Sequence, residues 1–433
     1  MLNSELHQII EEKHILAVVD QIVERCDAFA SFSDCDKGLT RLFCSESMKK
    51  AHRQLGDWFK AIDMDCRLDA VGNLIGTKSS SKVTEETARP VFLIGSHLDS
   101  VIDAGRFDGA LGVMLGLGVA EVLHRANIEL KFDLEIVGFS EEEGIRYSFP
   151  FIGSLGMTGD LTSEELDRTD QDSISMREAL REFGCDVDSI ESASYRQRNM
   201  VGFMEAHIEQ ADLLQDDDLP VGVVSSIAGQ TRAGIRFTGE AAHAGTVPHD
   251  RRQDALAAAA EMILKIEEIG QQTEGLFATV GYIDALPNLS NVISAQTDLR
   301  LDLRHASDKV RSASYEKIKS AIDSISEARN VKGEIICEQL NLATQMDRQL
   351  TEHLLSSIEN AGLAKKTMVS GAGHDAMIMA RVAPSCMLFL RCKDGVSHHV
   401  NEHATPEDID VALRVMVNSL VRISDSFESD LKT

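Results

Sequence analysis

The chain has 433 residues and carries 43 Lys and Arg against 70 Asp and Glu, a formal net charge of -27. That surface repels phosphate backbones and anionic headgroups, so nucleic acid and membrane are poor partners. The length exceeds one ordinary core and predicts two domains. No apolar run reaches the roughly 18 to 20 residues of a membrane span. The opening stretch MLNSELHQIIEEKH lacks a basic segment followed by an apolar one, which predicts a cytoplasmic protein.

In chain order, apolar spacing predicts a helix from His14 to about Cys26 and another from Glu46 to Lys60. A short Ser/Lys/Glu loop lies near Ser79 to Thr87. Pro90 to Ser96 is a continuous apolar run, the pattern of a strand buried on both faces of a parallel sheet, and Leu111 to Leu123 reads as a helix. Between them lies GSHLDSVIDAGRFDG, Gly95 to Gly109. Leu134 to Phe139 is a second such strand and stops at Glu141-Glu142-Glu143-Gly144. Val201 to Ile208 is a third, again ending in ionisable residues. Open α/β sheets place ligands at the carboxyl ends of parallel strands, and three such ends here hold His, Asp and Glu.

The character changes around Asp216 to Pro220. Ile235 to Thr238, a helix from Ala255 to Ile269, a strand from Leu276 to Tyr282 and the strict alternation of Leu299 to Arg304 follow. A helix from Asp308 to Ile325 and a strand from Gly333 to Cys337 complete this block. Alternating strands with two helices describe a one-sided antiparallel sheet covered by helices. The expectation is an inserted α+β domain over residues 219–340. Residues 1–218 and 341–433 would form an α/β domain with a mostly parallel sheet, which resumes with a helix from Arg348 to Asn360, a strand from Ser385 to Leu390 and a helix from Pro406 to Phe427. The eight cysteines show no CxxC or regular spacing and read as reduced thiols.

Carboxylates and imidazoles are the usual ligands of divalent Zn, Mn or Co, and two ions close together need a shared carboxylate plus further ligands each. The chain offers His97, Asp99, Asp108, Glu141, Glu142, Glu143, His207 and Glu209, with His374, Asp375, His398 and His399 far downstream. Taken singly, each is weak: a lone histidine at a strand end is more often a satisfied polar residue, and an acidic triplet is usually a solvated turn. Gly112, Gly116 and Gly118 lack the spacing and lysine of a phosphate loop and read as close helix packing.

The motifs GSHLDS, Asp108-Gly109, EEEGIRY followed by FIGS, EAHIEQ, GQTR, AHAGTVP with Arg252 and Asp254, NVISAQTDLRLDLRH, SGAGHDA and GVSHHVNE run in order from about residue 95 to residue 402. In that order the chain resembles the zinc-dependent amidohydrolases of the M20 metallopeptidase superfamily. The branch it resembles is that of N-carbamoyl-L-amino acid hydrolases, β-ureidopropionases and allantoate amidohydrolases.

The resemblance implies roles. His97, Asp108 and His207 would hold one divalent ion and Asp108, Glu143 and His398 a second, of Zn, Mn or Co type. Glu142 would be the general base and Asp99 would orient the His97 ring. His207 and Gln210 favour the ureido branch over aminoacylases and peptidases. His243 would stabilise the oxyanion, reaching across a homodimer into the partner's site. Arg304 would grip a substrate carboxylate, with Arg232 and Asn291 as further contacts. The loop around Gly373 and His374 would meet an anionic group through its backbone. The activity implied is hydrolysis of the ureido C–N bond of an N-carbamoyl-L-amino acid to amino acid, ammonia and carbon dioxide, with allantoate and then β-ureidopropionate as rival substrates. Glu141 reads as a surface acid, Arg300 as solvent-facing, and His399 and His403 as outside the ligand set.

Overall fold

The computed structural model describes residues 12–84 and 88–427, with side chains from Ile15 onward. The end of the Ser79 to Thr87 loop and most of the opening stretch lie outside the described residues. Among the described residues, no helix is long and apolar enough to cross a membrane.

The chain divides into two compact units. The first comprises residues up to Ser225, Met346–Met368 and the stretch from His374 onward; the second comprises Ser226–Gln345 and Val369–Gly373. The boundaries drawn from the sequence, 219 and 340, compare with 226 and 345. The difference arises because Val221–Ile227 begins as a strand of the first unit, pairing antiparallel with Ser385–Leu390 from Val221 to Val224. The acidic, proline-ended run before it imitates a linker.

In the first unit the sheet runs Asp65–Leu68, Leu74–Lys78, Asp133–Phe139, Val91–His97, Met200–Ile208, Ser385–Leu390, Val221–Ile227. The four strands from Asp133–Phe139 to Ser385–Leu390 are parallel, and the outer pairings are antiparallel. Every residue of Val91–His97, Asp133–Phe139 and Ser385–Leu390 is buried, with the charged Asp133 and Glu135 paired to Arg89 and Arg198. The helices Glu12–Ala30, Ala110–Arg125 and Pro406–Ser426 pack together and share one core with the sheet. On the Glu46–Lys60 helix, His52 is buried edge-on against Phe183, its ring centroid 5.2 Å away.

Register is what positions the site. His97 pairs with Phe139, and Leu98 N–H extends the ladder to Phe139 carbonyl at 2.9 Å, so these two strands end level. His207 pairs with Phe389 in the same parallel system. The loops after His97, Phe139 and His207 therefore leave one edge of the sheet together.

The second unit is an antiparallel sheet ordered Lys332–Asn341, Gly229–Thr238, Gln296–His305, Phe277–Leu286. Leu299, Leu301 and Leu303 face the helices Ala255–Gln271 and Asp308–Arg329, packing with Met262, Ile266, Ile318 and Ile322. Arg300, Asp302 and Arg304 take the opposite face, as period two demands.

Candidate metal centre

Asp108 is the centre of the cluster. Its Oδ1 lies 3.0 Å from His207 Nε2 and 3.8 Å from His97 Nε2, and its Oδ2 lies 3.2 Å from His398 Nε2. His398 Nε2 is also 3.6 Å from Glu143 Oε1. Ligand atoms within the sets His97/Asp108/His207, Asp108/Glu143/His398 and His97/Glu142/Glu143 all lie within 4.8 Å of one another. The structure thus brings together six residues, His97, Asp108, Glu142, Glu143, His207 and His398, separated by up to about three hundred positions in sequence.

The imidazoles are aimed by their outer nitrogens. His97 Nδ1 faces the Asp99 carbonyl at 3.0 Å and Asp99 Oδ1 at 3.4 Å, while His207 Nδ1 faces the Ile208 carbonyl at 2.9 Å. Each Nε2 is left for the cluster, and the two stand 3.4 Å apart. Asp99 also accepts Glu142 N–H at 2.9 Å on Oδ1 and Glu143 N–H at 3.1 Å on Oδ2. One carboxylate thus binds the first and second strand ends together.

His398 has a positive φ of 54°, uncommon for a non-glycine residue. That backbone turns its ring to Asp108 and turns His399 away; His399 is exposed and accepts Asn401 N–H at 3.2 Å. Gln210, also at positive φ, donates to Ser397 Oγ at 3.2 Å and lies 3.3 Å from His398 Nε2. Gly109, at φ +63°, begins the Ala110–Arg125 helix under the His97 ring, where a Cβ would meet ring atoms at 2.4 Å.

Burial makes this cluster electrostatically demanding. Burial pushes Glu142 well above the usual carboxylate range, helped by Glu143, Asp375 and Asp99, and it pushes Glu143 up to about 7. For Asp108 burial acts the same way, yet short polar contacts from His207 and His398 and the charges of His207 and His97 hold it well below its ordinary value. Burial would lower His97, but Asp99, Glu142 and Asp108 hold it well above. Asp108 Oδ1 is buried, and its close approach to His207 Nε2 at 3.0 Å is poorly angled for a hydrogen bond. Imidazoles presenting Nε2, carboxylates crowded against one another and a buried carboxylate oxygen without a well-directed donor fit a divalent cation.

Sequence reading missed several supports. Glu141 is buried, not a surface acid; its Oε1 accepts Ile145 N–H at 3.0 Å, which folds the loop back. Glu205 accepts Ser96 Oγ–H and Ala376 N–H, each at 2.8 Å. Its signal was a charge in a buried strand two residues before His207, hence on the same face. Asp375 accepts Ser154 Oγ–H at 2.5 Å, and the Arg41 guanidinium, fully buried, donates to Leu98 carbonyl at 2.6 Å. His374 is itself buried, its ring 4.6 Å from that of His207, and burial followed by the His207 charge holds it well below its usual value.

The remaining candidates belong to the second unit. His243 pairs with Val292, and Asn291 carbonyl accepts Ala244 N–H at 3.0 Å, so His243 and Asn291 stand side by side, both exposed. His243 Nδ1 accepts Gly245 N–H at 3.1 Å, leaving Nε2 outward, and Arg252 clamps this loop by donating to the Ala244 and Val247 carbonyls. Arg304 grips both oxygens of Asp302 at 2.7 and 3.0 Å and donates to Gly371 carbonyl at 2.6 Å, in the loop that ends at Gly373. Arg232 reaches the same Asp302 at 3.5 Å. Arg300 lies over the Tyr282 ring at 5.6 Å.

Residues 93–422 match the profile of peptidase family M20/M25/M40. An N-carbamoyl-L-amino-acid amidohydrolase of Pseudomonas sp. (strain NS671) is 34% identical over 391 residues, covering 89% of this chain and 94% of its own. An allantoate deiminase of Arabidopsis thaliana is 33% identical over 440 residues, covering 94% of this chain and 82% of its own. Among solved structures, an amidase of the hydantoinase/carbamoylase family from Burkholderia multivorans is similar with a TM-score of 0.86 at 30% identity, covering 94% of this chain and 98% of that one.

Proposed function

The chain belongs to peptidase family M20/M25/M40, and from that premise we propose that it hydrolyses the ureido C–N bond of an N-carbamoyl-L-amino acid, releasing amino acid, ammonia and carbon dioxide. It is a hydrolase of carbon–nitrogen bonds other than peptide bonds. The observation that carries the reading is Asp108, whose two oxygens face His207 at 3.0 Å and His398 at 3.2 Å and so join two ligand sets through one carboxylate. His97 and His207 with Asp108 would hold one cation, and Glu143 and His398 with Asp108 the other; the donors suit Zn, Mn or Co. Bound there, such ions supply Lewis-acid polarisation and acidify water.

The chain's own residues do the rest. Glu142, buried beside the ligand Glu143, accepts the proton of the attacking water and passes it to the departing amine. Asp99 holds Glu142 by its backbone. His243, with Nε2 outward, serves as donor to the developing oxyanion, and the Arg304 fork, with Arg232 and Asn291, receives the substrate carboxylate. Gln210 and the Gly373–His374 loop complete the substrate contacts in this reading. The protein acts as a cytoplasmic homodimer. A second reading, allantoate as substrate, is favoured by the extent of similarity to the Arabidopsis allantoate deiminase.

The test is ammonia release from N-carbamoyl-L-amino acids, β-ureidopropionate and allantoate after loading with Zn, Mn or Co, beside acyl amino acids and dipeptides. Faster turnover of the last two groups would overturn the proposal. Glu142→Gln should keep metal and lose most turnover; an unchanged rate removes Glu142 as the base.

A further inference from the structure

We propose that Glu402 is a positioning residue that sets the Asp108 carboxylate against His398, so that metal binding depends on a side chain outside the ligand set. This rests on the reading of Asp108 and His398 as ligands.

Glu402 is 4% exposed, and its Oε1 accepts two backbone N–H groups, Phe107 at 2.8 Å and Asp108 at 2.9 Å. Its own N–H donates to His399 carbonyl at 3.0 Å, closing a tight turn over residues 399–402 immediately after His398. The carboxylate is therefore a strap from the His398 loop to the backbone of Asp108. Two hydrogen bonds to consecutive amides fix the peptide plane from which the Asp108 side chain rises. From a fixed backbone, few rotamers send one oxygen to His207 and the other to His398.

The seat is built for this side chain. A Cβ on Gly105 would fall 2.4 Å from Glu402 Cβ, so glycine there admits the strap. The ring of Phe107 lies 5.9 Å from that of His403, edge-on, joining the same two segments. Glu402 also lines a cleft of about 790 Å³ with Gly105, Arg106 and Lys393. Water entering from that cleft can solvate the amides freed by a shortened side chain, so loss of the strap relaxes the loop without leaving them buried and unpaired.

The test is calorimetric titration of the metal-stripped protein with MnCl₂, with thermal unfolding of the same samples. Glu402→Ala should weaken Mn²⁺ binding about 10- to 100-fold, the range for residues that orient ligands. Glu402→Asp, retracted by one methylene, should lose as much, whereas Glu402→Gln, whose amide oxygen accepts both N–H groups, should stay within roughly threefold. A purely structural role would lower the unfolding temperature and leave affinity unmoved. Wild-type affinity in Glu402→Ala, or in Glu402→Asp where the alanine variant does not fold, overturns the proposal. Asp108→Ala is the control: if it binds Mn²⁺ like wild type, the ligand assignment itself is wrong. If only Asp108→Ala loses binding, the strap alone is refuted.

Discussion

The carboxylate of Asp99 accepts the backbone N–H of Glu142 at 2.9 Å. A side chain from one strand end thus sets where the next strand end places Glu142, the base in the proposed mechanism. Asp99→Asn keeps one acceptor but points an amide at a neighbouring N–H, either that of Glu142 or that of Glu143. The expected loss is about 10- to 100-fold in kcat/KM with weaker metal binding. Steady-state kinetics at saturating metal check it; full activity there would show that the Asp99 bonds are dispensable.

Gly109→Ala should damage the site through sterics alone. The added carbon meets the His97 ring at 2.4 Å, at a φ of +63° that favours glycine. Backbone strain of about 1 to 3 kcal/mol is expected in thermal or chemical unfolding. Metal affinity should fall as the ring is displaced, and an unchanged titration would place His97 outside the ligand set.

Arg304 commits three of its N–H groups to Asp302 and Gly371, leaving two of a guanidinium's five. Arg304→Lys retains the charge and loses the fork. It should raise KM for a carboxylated substrate about 10- to 100-fold, from a charged hydrogen bond worth 1.5 to 3 kcal/mol, with a smaller effect on kcat. Equal KM values in the two proteins would remove Arg304 from substrate binding.

His52 makes stability depend on pH. Burial, followed by the Arg41 charge, lowers it from an ordinary 6.5 to about 3. A depressed histidine favours the fold above its unfolded value, and this contribution is lost as pH falls from about 6.5 towards 3, because only the unfolded chain takes up the proton. Between about pH 7 and pH 5 the loss is about 2 kcal/mol. His52→Leu should remove that part of the slope in denaturant titrations at the two pH values; parallel slopes would refute it.

The legibility of these features in the sequence varied with how local they are. The strand bearing His97 was readable because double burial writes itself as an unbroken apolar run, and the one before the Glu141–Glu143 loop because Glu135 is the single charge from Leu134 to Phe139. Leu299 to Arg304 was readable because one-sided burial writes period two. Val221–Ile227 was assigned to the insertion because the acidic run before it looks like a linker, while its pairing with Ser385–Leu390 has no local mark. Glu141 was misread for the same reason: an acidic triplet resembles a solvated turn until the chain folds over it. Glu402 and Arg41 act across long separations on backbone groups, and backbone partners carry no side-chain signature.

The bond from Glu402 to Asp108 spans 294 positions. During synthesis Asp108 and His97 emerge early, while His398 and its strap emerge only after the whole insertion. Closing so long a loop is entropically slow relative to local contacts. The nascent chain consequently holds His97, Asp108 and Glu143 without His398 while the whole insertion is made, and the cluster closes only after that segment has emerged.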